Sequence, residues 1–79
     1  MMNLEALIQR AFERSAPHLS NLDMVQSLVE EIMKQASSPN EAIELLEDRA
    51  READVTLRTD IRILVNEIRH TLRQRKSFG

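Results

Sequence analysis

Few residues in this 79-residue chain have the type and spacing to do chemistry. Glu67 and His70 stand in a Glu-x-x-His spacing, which on a helix places a carboxylate and an imidazole on one face, as di-iron bundles do in duplicate. Such a site needs two copies of the motif and two further glutamates. The sequence carries one copy, and charged residues at i and i+3 are routine on a solvated helix face, so no metal and no cofactor are assigned. His18 follows Pro17 in an expected turn, where an imidazole could accept a phosphoryl group or act as a base. No cysteine, glycine-rich loop or nucleophile–base pair accompanies it, and a histidine without partners does not make a site. The chain is read as a binder and not an enzyme, with no catalytic residue.

The remaining charged clusters are candidates for binding. Arg69, Arg73, Arg75 and Lys76 place four positive charges near the C-terminus with only Glu67 among them. Basic residues there favour a helix C-terminus through the macrodipole. They could also contact nucleic-acid phosphates, weakly and with a steep salt dependence. The macrodipole reading is preferred, because no recognition-helix motif or stacking aromatic accompanies the charges. The acidic run Glu41, Glu44, Glu47, Asp48, Glu52 and Asp54, interleaved with Arg49 and Arg51, reads as a solvated helix face.

These residues must be positioned by helices. There is one Gly, there are two Pro, and Leu, Glu, Arg, Ala and Gln are abundant, so strands have little support. Leu4, Leu7, Ile8, Ala11 and Phe12 predict a first helix from about Leu4 to Ser15. Pro17 should end it, disfavour helical geometry at Ala16, and leave Ala16 to Leu19 as a turn. A second helix should start near Ser20, capped in a box with Asp23 and stapled by Leu19, with Leu22, Val25, Leu28, Val29, Ile32 and Met33 as a wide apolar face that Met24 extends. Ser38 at N-cap, Pro39 at N1 and Glu41 at N3 start a third helix.

From Ile43 onward Leu46, Ala50, Ala53, Leu57, Ile61, Leu64, Ile68 and Leu72 keep helical phase, which reads as one long helix. Asp54-Val55-Thr56 is its weak point, where a break would let Asp54 cap a fourth helix. Unbroken, roughly 36 residues would extend about 54 Å, more than two shorter helices can cover. The expected fold is therefore all-α: a single helical domain over 1–79 with a basic tail at 74–79, two shorter helices, one long C-terminal helix, and a bundle completed by dimerisation. The dimer seam is placed on Leu57, Ile61, Leu64, Val65, Ile68 and Leu72, with Ile63 beside it. So short a chain without cysteine gains most from a second copy.

Thirteen acidic against eleven basic residues give a net charge of −2, which argues against wholesale nucleic-acid binding by charge. No segment approaches the ~20 apolar residues of a membrane span, and the start of the chain lacks the pattern of a signal peptide. A cytoplasmic location without membrane association is expected.

The segment ending in Phe12, the polar turn, the run Met24-Val25-Gln26-Ser27-Leu28-Val29-Glu30-Glu31-Ile32-Met33 and the capped helix after it resemble, over about Leu7 to Leu72, the small biofilm and acid-resistance regulators of the YmgB/AriR type, the two-component connector proteins. The chain departs from that pattern at Ala11, where the family has tyrosine, and at Val25-Gln26, where it has Leu-Gly. The resemblance implies a helical dimer that regulates biofilm or stress genes by contacting a response regulator or by binding DNA. The expected function is a regulatory adaptor acting through protein–protein contact. The alternatives are a weak DNA-binding regulator using the basic tail and a chaperone or assembly subunit of a larger bacterial or phage complex.

Overall fold

A computed structural model describes residues 3–77, with side chains described to residue 73. It is all-helical, with no strand among the described residues: α1 spans Leu4–Ser15, a 3-10 turn spans Ala16–His18, α2 spans Leu22–Gln35, α3 spans Pro39–Glu52 and α4 spans Val55–Ser77.

Each helix starts where a side chain can satisfy its orphan amides. The Asn3 side chain accepts from Ala6 N at 2.8 Å to open α1. Ser38 Oγ accepts from Glu41 N at 3.2 Å, and Glu41 Oε1 accepts from Ser37 N at 2.6 Å, so the Ser-Pro-Asn-Glu signal starts α3 as expected. Ala16 departs from expectation, with helical φ −47° and ψ −44° and its N–H donating to Phe12 O. The pre-proline bias is steric, and alanine carries the smallest side chain that meets it. The chain then tightens until Leu19 N donates to Ala16 O at 3.2 Å.

The start of α2 is a second correction. The expected Ser20–Asp23 box does not form; the N-cap is Asn21, whose side chain makes no capping bond. The cap comes instead from Asp60, forty residues away on α4. Its carboxylate accepts from Ser20 N at 3.0 and 3.1 Å, from Asn21 N at 2.7 Å and from Asn21 Nδ2 at 3.2 Å. Asp60 is 1% exposed, so this buried charge is fully engaged, at the helix end where the macrodipole favours a negative group.

The single long third helix is also corrected, because it breaks at Ala53, which is extended with ψ 157°. Asp54 Oδ1 accepts from Leu57 N at 2.8 Å and caps α4. Arg58 donates from Nε to Ala50 O at 3.0 Å, which also accepts from Ala53 N, and from Nη2 to Ala53 O at 3.1 Å, so its guanidinium ties the end of α3 to the start of α4. Ala50, Ala53, Leu57 and Ile61 keep spacings of three and four across the break, which is why periodicity alone did not reveal it. Asp54→Ala should destabilise the fold by about 1 kcal/mol through loss of this cap. In an unbroken helix the same change would stabilise, since alanine is the best helix former. Urea titration reads the sign directly, and a stabilised variant would contradict the break.

Because the chain turns back at Ala53, α4 packs along α1 and α3. Leu7, Ile8 and Phe12 of α1, Val25, Val29 and Ile32 of α2, Ile43 and Leu46 of α3, and Ile61, Leu64, Val65 and Ile68 of α4 share one buried core. The expected dimer seam therefore has to be reassigned. Ile61, Leu64 and Ile68 are 0% exposed and Val65 is 4% exposed within one chain, while Leu57 and Leu72 are partly buried against the same core. The apolar stripe finds its cover inside the molecule, and no buried side-chain N or O atom among the described residues lacks a hydrogen-bond partner.

Candidate functional site

With the interior closed, function has to come from the surface, and two grooves flank the α3–α4 junction. The first lies between α2, the end of α3 and the start of α4, and encloses about 490 Å³. Leu28 and Ile61 form its buried floor and Ala53 and Leu57 its half-buried wall, while Met24 on its edge is 57% exposed. The expected wide apolar face of α2 is thus divided. Val25, Leu28, Val29 and Ile32 are buried, whereas Leu22 at 41% and Met24 at 57% face outward, as does Val55 at 75%. Asp23, Glu31 and Glu52 rim this groove against a single cation, Arg49, which is already bound to Glu31. The groove is apolar inside and acidic at its edge.

The second groove runs between α3 and α4, encloses about 640 Å³, and has the opposite charge. Arg51, Arg58, Arg62 and Arg69 line it with Asn66, and Glu47 is its only carboxylate. Arg69 Nη2 meets Glu47 Oε2 at 3.2 Å, Arg51 Nη1 meets Asp48 Oδ1 at 3.1 Å, and Arg58 is held by the α3 carbonyls. Arg62 has no hydrogen-bond or ion-pair partner among the described residues. Solvent-exposed pairs of this kind contribute about 0–1 kcal/mol each, so the two ion pairs are easily exchanged for others.

The structure places the sequence-derived candidates unevenly. Arg69 is in the second groove and Arg73 is exposed one turn further along α4, while the side chains of Arg75 and Lys76 lie outside the described residues. Arg58 and Arg62 belong with them and were missed, although the signal was present: Arg58, Arg62, Asn66, Arg69 and Arg73 recur at intervals of four, four, three and four, the spacing of one helix face. The charge asymmetry was legible too. Residues 1–54 hold eleven acidic and five basic groups, and residues 55–79 hold two acidic and six basic groups. Glu67, considered above with His70, instead faces Arg14 of α1 at 3.6 Å, and no cluster of three or more metal-ligating side chains occurs among the described residues. His18 closes the 3-10 turn, exposed.

None of the helices among the described residues is long and apolar enough to cross a membrane. No family model, curated protein or solved structure matches the chain.

Proposed function

We propose that the chain is a non-enzymatic adaptor that docks an amphipathic helical segment of a partner protein in the groove between α2 and the α3–α4 junction. The observation that carries this reading is Met24, a large apolar side chain left 57% exposed at the edge of an otherwise apolar groove. Methionine is unbranched and polarisable, and it suits surfaces that must fit a helix with its anchors at i, i+3 and i+4. The acidic rim selects the partner: Asp23 and Glu52 favour a helix flanked by Lys or Arg and repel one flanked by Glu or Asp. The resemblance to connector regulators adds a response regulator as a partner class. A second copy of the chain, with Ile61 to Ile68 already covered, would have to use Leu22, Met24 and Val55.

The test is fluorescence anisotropy with two labelled amphipathic helices of Leu and Ala, one flanked by Lys and the other by Glu. The Lys-flanked peptide should bind at least about tenfold more tightly, the equivalent of ~1.4 kcal/mol. Met24→Ser should weaken it by a similar factor, since burying a methionine side chain contributes about 1.5–3 kcal/mol. Because Met24 is exposed, the variant's thermal unfolding should match that of wild type. Equal affinity for the two peptides, or unchanged binding by the Met24 variant, would remove the basis for the proposal.

A further inference from the structure

The second groove has a different chemistry and a different ligand. We infer that the arginine groove between α3 and α4 binds a short acidic peptide segment of a partner, with Arg62 at its centre meeting a carboxylate. All the cations lining the groove are arginines. Their planar forks donate paired hydrogen bonds to carboxylates, which a lysine ammonium does not do. Two of them already hold carboxylates of the chain itself, Glu47 and Asp48. Each of these is a single contact, so arginine already meets carboxylates here, and one arginine, Arg62, is left without a partner among the described residues. Asn66, one helical turn beyond Arg62 on the same face, adds an amide donor.

The groove's walls decide what kind of anion enters. Ala50 and Val65 on its floor are 9% and 4% exposed, too little apolar surface to hold a helix by burial, so binding must come from charge. A single nucleic-acid strand would need aromatic side chains to stack on, and Phe12, the only aromatic among the described side chains, is buried in the core. Duplex nucleic acid presents a continuous run of phosphates. It would face not only the arginines but also Glu47 in the groove and, beside it on the same side of α3 by helical spacing, Glu44 and Asp48. A peptide is narrow enough to lie along the arginines of α4 without spanning that acidic side, which a duplex is too wide to do. Arg62 and Arg69 are seven residues apart, about 10 Å along α4, a separation matched by acidic side chains two turns apart on a partner helix.

The experiment is an anisotropy titration with labelled oligo-glutamate, run beside a labelled random-sequence DNA duplex. Wild type should bind oligo-glutamate although its own net charge is −2, with affinity falling as salt is raised. Arg62→Ala should weaken binding about tenfold or more, as expected for a charge-assisted pair. Arg62→Glu should abolish it, and Arg62→Lys should restore only part of it. Arg10→Ala, on the exposed face of α1, and Met24→Ser should leave it unchanged, which separates this site from the apolar groove. Circular dichroism identical to wild type confirms that these surface variants fold. Two results would overturn the inference: oligo-glutamate binding that does not depend on Arg62, or a duplex bound more tightly than oligo-glutamate, which would assign the groove to nucleic acid.

Discussion

Ile68→Asp should leave the chain unfolded at every accessible protein concentration. Ile68 is 0% exposed and sits on α4, which packs along α1 and α3. Removing a buried isoleucine side chain costs about 2–5 kcal/mol through lost transfer energy and the cavity left behind. Forcing a carboxylate into the same space without a partner adds several kcal/mol more. A domain of this size has roughly 4–12 kcal/mol of stability to lose. Concentration separates the core from a seam. Had Ile68 faced a second copy, the variant would be a folded monomer with its helical signal intact; packed inside one chain, it loses that signal in concentrated and dilute solution alike. Circular dichroism with sedimentation equilibrium distinguishes the two, and a helical monomer would return Ile68 to an interface. Ile68→Val, which keeps the shape and removes one methyl group, should cost only about 0.5–1.5 kcal/mol and remain folded.

The different outcomes for Ile68 and Ser38 show what the sequence could carry. Local chemistry was legible: Ser38, Pro39 and Asp54 act within three residues of themselves, so their types and spacing were enough to place the start of α3 and the weak point before α4. The apolar identities of the core were legible too, since Ile61, Leu64, Val65 and Ile68 were picked out by helical phase. Which surface covers them was not, because phase is blind to a turn that preserves it. A break at Ala53 with no phase shift converts an exposed stripe that demands a second chain into the buried face of a hairpin. The same limit applies to the grooves. Arg51 and Arg62 stand eleven positions apart and line one groove only because α4 folds back on α3.

Asp60 is the sharpest case of a residue whose role depends on the fold, and its removal should have the second largest effect. In sequence it is one acidic residue among thirteen, flanked by Thr59 and Ile61. Folded, it is buried and receives hydrogen bonds from both Ser20 N and Asn21 N, and so joins the start of α2 to the body of α4. Hydrogen bonds to a charged group contribute about 1.5–3 kcal/mol each, and a buried donor left unpaired costs about 1–3 kcal/mol. Ser20 as a residue is exposed, so water can replace part of what is lost, and Asp60→Ala should cost about 3–5 kcal/mol, less than the full sum of its bonds. Asp60→Asn is the more telling variant. Its shape is unchanged, but the charge is lost and one acceptor oxygen becomes an NH₂; with the remaining oxygen at the Oδ2 position, that NH₂ faces the Ser20 amide donor to donor, so it should recover only part of the loss. Ser20→Ala should be nearly neutral, because the donor is the Ser20 backbone and not its hydroxyl. A Ser20–Asp23 capping box would invert that order, making Ser20→Ala cost about 1 kcal/mol and Asp60→Asn almost nothing. Denaturant titration of the three variants ranks them, and hydrogen exchange at Ser20 and Asn21 locates the change: in Asp60→Asn those amides should exchange ahead of the core. Retained protection there would mean that the start of α2 is held by something other than Asp60.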